Sequence, residues 1–229
     1  LRYEKFVEFI ENERTESFTI VNSMGIRCNY NDNSLCFLPE GGQKEIWIFG
    51  GSTVFGYGVK NNETISAYLE NLLGKKFKVI NFGTGFYWST QERILFNNLL
   101  TKYDKPAKVI FLNGINEFAK TYKYDESVNS QLIKYKLSKS SKDDLIDYFY
   151  ERISRLNISQ LIKEKLLIKK TEKKLSINDD EINKMVDSYL KNQKIIKAIS
   201  EKFEIDLIQV LQPAPIYKQS YKSSYIPNE

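Results

Sequence analysis

The 229-residue sequence contains no histidine. Within this chain that absence excludes a histidine metal site and a complete Ser-His-Asp triad. Cysteine is nearly as scarce, and two residues cannot build a disulfide scaffold. Cys28 and Cys36 lie in a polar loop rich in Asn and Asp. There they either pair across a hairpin or remain free, and two free thiols are the expectation. No apolar run approaches the roughly 18 residues of a membrane helix. Charge of one sign does not dominate: the net charge is +5 and the lysines sit among acids, so nucleic acid is not an expected partner. With 41% hydrophobic and 28% charged residues, a disordered or fibrous chain is excluded. The length suits one large α/β domain or a domain with a helical insertion. The chain opens on Leu1 and stops at Glu229, shortly after an apolar run, so a piece of a longer protein is expected.

Residues 1–45 read as an N-terminal arm. Tyr3, Phe6, Phe9 and Ile10 stand in a short helix-like stretch, followed by the irregular segment from Val21 to Arg27. From residue 46 to 229 one larger domain is expected. Ile46-Trp47-Ile48-Phe49 is a continuous apolar run, as in a parallel strand buried on both faces. Ile65, Leu69, Leu72 and Leu73 recur at helical spacing, and Gly74 stands where a helix C-cap belongs. Phe77 to Ile80 reads as a second strand. Ser89-Thr90-Gln91-Glu92 has capping-box spacing ahead of a helix carrying Leu95, Phe96, Leu99 and Leu100. Val109-Ile110-Phe111-Leu112 is a third strand.

The pattern then changes. Residues 120–175 carry no strand signal and read as a helical insertion or cap, with helical stretches around Leu145–Ile153 and Ile158–Leu166. Their lysine cluster, Lys163 to Lys174, reads as a solvated face. Asn178 and Glu181 have N-cap spacing before a long helix whose stripe includes Ile182, Met185, Val186, Tyr189, Ile196, Ile199 and Phe203. Ile205 to Leu211 is a fourth strand, ending at Gln212-Pro213. Strands alternating with helices predict a doubly wound parallel sheet, with ligands beyond the strands' C-terminal ends.

Three strand ends carry chemistry. The first supplies Gly50-Gly51-Ser52-Thr53, the second Asn81-Phe82-Gly83, the third Asn113-Gly114-Ile115-Asn116-Glu117. A serine hydroxyl is a nucleophile once a base takes its proton, and a glycine amide and an Asn side chain are oxyanion donors. The first loop lacks the Lys of a phosphate loop and the glycine spacing of a dinucleotide fingerprint, which argues against a nucleotide-binding module. Val54 stands where the nucleophile elbow of α/β-hydrolases needs its last Gly.

These blocks resemble the SGNH hydrolases, or GDSL-like esterases. Phe49 to Gly56 is similar to their first block, with Gly-Gly-Ser-Thr in a bacterial variant; Val79 to Gly83 is similar to the second, and Gly114 to Glu117 to the third. The arm Asn22 to Arg27 and Leu211-Gln212-Pro213 also resemble a bacterial branch. The resemblance spans roughly residues 20–120 and 185–215. It implies a three-layer α/β/α fold with a mostly parallel, flavodoxin-like sheet, C-terminally incomplete. It implies Ser52 as nucleophile and oxyanion amide, Gly83 as second amide donor and Asn116 as side-chain donor, with Gly51, Gly114 and Glu117 in support. Glu117 departs from the usual Asp, and the Asp-x-x-His block is expected beyond Glu229. The implied activity is hydrolysis or transfer of small O-acyl groups on a small molecule or glycan, without metal or cofactor. Membrane attachment is expected only through a segment outside this chain, and the cell envelope is the expected compartment. The rival reading is a non-catalytic carbohydrate- or ligand-binding domain on the same scaffold, favoured by the missing histidine.

Overall fold

The computed structural model describes residues 1–30, 36, 42–117 and 179–212. Its first elements correct an expectation. The helix-like stretch is an antiparallel hairpin of β1 (Arg2–Glu4) and β2 (Glu8–Ile10). Phe6 and Glu8 sit at φ of 72° and 71°, values a right-handed helix cannot accept. Val7, Phe9 and Ile10 are buried by the turn that results. A second hairpin joins β3 (Arg14–Thr15) to β4 (Ile20–Val21). Bridges from Arg27 to Val21 and to Asn81 then fasten the arm to a strand end of the main sheet.

The two cysteines are not free. Cys28 and Cys36 form a disulfide with Cα atoms 4.7 Å apart, buried with Ile20. The Cys28 N–H donates to the Ile20 carbonyl at 2.9 Å, which holds Cys28 on the arm within bridging distance of Cys36.

Along the chain follow β5 (Lys44–Gly50), α1 (Ser52–Phe55), α2 (Ile65–Leu73), β6 (Phe77–Asn81), α3 (Ser89–Leu100), β7 (Lys108–Asn113), α4 (Asp179–Lys202) and β8 (Asp206–Leu211). The four longer strands form one parallel sheet in the spatial order β6-β5-β7-β8. In order of appearance that is 2-1-3-4, the flavodoxin-like order. The apolar runs match these strands because both faces are covered. Trp47, Phe49, Ile80, Val109 and Phe111 pack with Phe96 and Leu99 of α3 and Ile196 of α4. Ile46, Ile48 and Val79 face the other way, onto Val54 of α1 and Leu69 of α2. The architecture is therefore three-layered. Phe49 lies between the rings of Phe82 and Phe111, with centroids 5.2 and 4.8 Å away, and closes the core beneath the strand ends.

Two local expectations change. On α2, Leu72 is 84% exposed, while Ser66, Ala67 and Glu70 are buried. Beside Leu69 and Ala67 the inward face is partly polar, because Glu70 accepts the Val79 N–H at 2.7 Å and an Asn29 amide hydrogen at 3.1 Å. Gly74 does cap this helix, at φ 69° with its N–H on the Glu70 carbonyl. On α3 the N-cap is Trp88, not Ser89, and the Ser89 N–H goes to Glu117 instead of closing a box with Glu92. The insertion at 120–175 and the cap residue Asn178 lie outside the described residues.

Candidate active site

The C-terminal ends of four parallel strands deliver the segments of interest to one sheet edge. After β5, Gly51 precedes α1, and Ser52 is its first residue. Ser52 is exposed. Its Oγ has no hydrogen-bond partner among the described residues, and its N–H is one of those a helix leaves unpaired in its first turn. After β7, Gly114 (φ 114°) turns the chain so that half-buried Asn116 reaches back to the β5 end. A Cβ on Gly51 would stand 2.4 Å from Asn116 Nδ2. Only glycine admits the carboxamide so close to the residue before Ser52. After β6, Gly83 is buried against α1: a Cβ there would meet Phe55 N at 2.3 Å and the Val54 carbonyl carbon at 2.7 Å. The segments bearing Ser52, Gly83 and Asn116 are thus in contact through α1 and the turn before it.

Their donor groups, however, do not aim at one point. The Gly83 N–H donates to Asn81 Oδ1 at 2.9 Å. Asn116 Nδ2 donates to the Tyr87 carbonyl at 2.6 Å. A cavity of about 310 Å³ opens beside Ser52, lined also by Thr53, Gly56, Tyr57, Val59, Thr64 and Ile65. Neither Gly83 nor Asn116 lines it. An internal acceptor thus holds each of the two loop donors.

No family model and no curated protein matches this chain. Several solved structures resemble it weakly, among them two esterases. AlinE4, an SGNH-hydrolase family esterase, is 20% identical with a TM-score of 0.34, over 74% of this chain and 77% of that one. A catalytic mutant of Axe2, an acetylxylan esterase from Geobacillus stearothermophilus, is 18% identical with a TM-score of 0.31 over the same shares. The flavodoxin-like assignment stands on the order and direction of the sheet's own strands.

Further residues reach this edge through partners distant in sequence. Gln212, just past β8, donates from Nε2 to Thr53 Oγ1 at 2.8 Å, and its N–H donates to the Asn113 carbonyl at 2.7 Å. This makes β8 the fourth strand whose end reaches the site. Glu11 arrives from the arm, buried, and its Oε1 accepts from Tyr57 Oη at 2.5 Å and from the Gly85 N–H at 3.1 Å. Burial and this bond to Glu11 hold the Tyr57 phenol well above its ordinary pKa, so the ring stays a neutral wall of the cavity. Phe86, in the same loop, is 67% exposed at φ 67°.

Glu117 is buried and its Oε1 accepts the Ser89 N–H at 2.6 Å. A carboxylate at that helix start satisfies an orphan donor and complements the dipole, so Glu117 does structural work that a shorter Asp would do from closer in. Among the described residues no acidic or cysteine cluster is arranged to hold a metal ion. Among them also, no helix is long and apolar enough to cross a membrane.

Proposed function

We propose that this protein is an SGNH-type serine esterase that removes or transfers small O-acyl groups, with Ser52 as the nucleophile. The observation that carries the reading is the approach of Asn116 Nδ2 to Gly51: a carboxamide donor stands against the glycine that precedes an exposed serine, at the edge where a parallel sheet binds ligands. In this reading Ser52 Oγ forms a bond to the ester carbonyl carbon while its proton passes to a base. The Ser52 N–H and the second hydrogen of the Asn116 amide hold the oxyanion, since Tyr87 uses only one of the two. The Gly83 N–H joins them by exchanging Asn81 Oδ1 for the oxyanion. Collapse breaks the ester C–O bond, and the departing alcohol takes the proton from the base. Water, or an acceptor alcohol in a transferase, then attacks the acyl-Ser52 carbonyl and restores the serine.

The chain holds no histidine. In this reading the base is a histidine with an orienting Asp that these 229 residues do not contain. Acetyl esters of glycan hydroxyls are the proposed substrates. The Cys28–Cys36 bond supports an oxidising compartment such as the cell envelope.

The test is hydrolysis of p-nitrophenyl acetate and of an O-acetylated glycan by the full-length native protein. Ser52→Ala abolishes activity, and Asn116→Ala lowers turnover on the order of 10²–10³-fold. The 229-residue chain alone is nearly inactive. Hydrolysis that survives Ser52→Ala ends the mechanism. The second reading, a non-catalytic ligand-binding domain, draws support from the Gly83 N–H already bonded to Asn81 and from the missing histidine. It predicts a native extension without Asp-x-x-His and a full-length protein that binds glycan but releases no acyl group.

A further inference from the structure

The loop that carries Asn116 is tied to α3 at both ends. At its start, Asn113 Nδ2 donates to Glu92 Oε2 at 2.6 Å. At its finish, Glu117 Oε1 accepts the Ser89 N–H at 2.6 Å. Two carboxyls thus share one helix start: Glu92 from the first turn, Glu117 from the loop. The helix N-terminus favours negative charge, and Glu117 takes the Ser89 N–H there. Glu92 has no such donor. It is completely buried, and its Oε1 has no hydrogen-bond partner among the described residues. No cation pairs with it among those residues either. A carboxyl in such a place keeps its proton. Burial above all, with the Glu117 charge adding to it, pushes the Glu92 pKa up to about 8 against the lowering effect of the Asn113 bond.

The neighbours leave Glu92 alone with this problem. From α4, Tyr189 Oη donates to Asn113 Oδ1 at 3.1 Å, and its phenol is held above its ordinary range by burial and by Glu117 and Glu92. On α3, the Arg93 Nε donates to Asn192 Oδ1 at 2.8 Å. From β2, Glu8 accepts from Gln91 Nε2 at 3.0 Å. The Glu117 charge therefore opposes a second one, and Arg93 is directed elsewhere.

We propose that Glu92 is a positioning residue: neutral, it stays buried and keeps the Asn113–Glu117 loop seated on α3, whereas ionised it is repelled by Glu117 and driven toward water, which outweighs its stronger bond from Asn113, loosens the loop and lets Asn116 leave its place against Gly51. The lock is independent of any chemistry at Ser52; its catalytic consequence rests on the esterase reading. Relief comes from opening, because a loosened loop admits water to the new carboxylate.

The test has two arms. Trp88 borders the loop next to Tyr87, while Trp47, the second of the two tryptophans, is fully buried in the core. Intrinsic fluorescence of this chain, titrated from pH 6 to 10, should show a transition centred near pH 8 that Glu92→Gln abolishes. Glu117→Gln keeps an acceptor for Ser89 but removes the neighbouring charge, so the transition should move to lower pH. It serves as the second variant should Glu92→Gln not fold. In the full-length protein, kcat on p-nitrophenyl acetate should fall about tenfold per pH unit above the same midpoint with KM unchanged, and Glu92→Gln should remove that limb. A wild type without the transition, a Glu92→Gln variant that retains it, or a Glu117→Gln variant with an unmoved midpoint overturns the proposal. A full-length protein without esterase activity defeats the catalytic reading, and the fluorescence arm still decides the lock.

Discussion

Two glycine substitutions at the candidate site should have opposite signatures. An alanine Cβ at Gly83 would lie 2.3 Å from Phe55 N and 2.7 Å from the Val54 carbonyl carbon, both backbone atoms of α1. That helix cannot retreat freely: Asn81 Nδ2 donates to the Val54 carbonyl at 2.8 Å, and the Thr84 N–H donates to the Gly50 carbonyl at 3.0 Å. Overpacking of this kind costs about 1–3 kcal/mol, and losing the Asn81 bond adds about 1 kcal/mol. For a domain of this size, ~2–4 kcal/mol lowers Tm by roughly 5–15 °C. At Gly51 the obstacle is Asn116 Nδ2, at 2.4 Å, the far end of a side chain. Gly51 sits at φ −84°, outside the left-handed range, so Gly51→Ala should cost about 1 kcal/mol, the worth of the displaced Asn116–Tyr87 bond. Yet it should cut turnover of the full-length protein about as deeply as Asn116→Ala, since it moves the same donor. The pair Gly51→Ala and Asn116→Ala should then be far from additive. Thermal melts and p-nitrophenyl acetate turnover measure both quantities. A Gly51→Ala protein as destabilised as Gly83→Ala, or one with full turnover, refutes the reading of these contacts.

Stability should also carry the mark of Glu92. Its pKa is about 8 in the fold against an ordinary 4.5, so the folded chain keeps a proton that the unfolded chain releases. Stability from this group is full below pH 4.5 and is lost as pH rises toward 8, on the order of 4–5 kcal/mol in total. Urea melts from pH 4 to 9 should show that decline in wild type and a flatter profile in Glu92→Gln; parallel profiles would contradict it. Reducing Cys28–Cys36, which closes a separation of 8 residues, should cost on the order of 2–3 kcal/mol in melts with and without reductant. Thiol alkylation before reduction should label neither cysteine.

The sheet was legible because its signal is local. A parallel strand buried on both faces needs an unbroken apolar run, and Ile46–Phe49 and Val109–Leu112 supply it without reference to the rest of the chain. Elements held by distant partners were not legible. The periodicity of Ile65, Leu69, Leu72 and Leu73 assigns the buried face of α2 to leucines, but Glu70 and Ser66 turn inward. Their partners, Asn29, Val79 and Asn81, arrive from the arm and the neighbouring strand. The first ten residues carry helix-like spacing, and the two positive-φ positions that convert them to a hairpin, Phe6 and Glu8, are not residue types that announce a turn. The cysteine pair was ambiguous for the same reason. Its closure depends on where Ile20 holds Cys28, not on spacing alone.

The site divides along the same line. Ser52, Gly83 and Asn116 could be picked out because each follows directly on an apolar run, and a parallel sheet brings such positions to one edge whatever lies between them. Where each donor points is decided by an acceptor the pattern does not name: Asn81 for Gly83, Tyr87 for Asn116, Glu11 for Gly85. Glu92 shows how far this reaches. Its capping-box spacing from Ser89 assigns it to the helix start, where a carboxylate is welcome. Glu117, 28 residues from Ser89, takes that N–H instead. With that N–H taken, the same side chain is a buried acid whose bond is to the strand end that leads into Asn116. A carboxyl read as a local cap thereby comes to bear on the loop at the centre of the site.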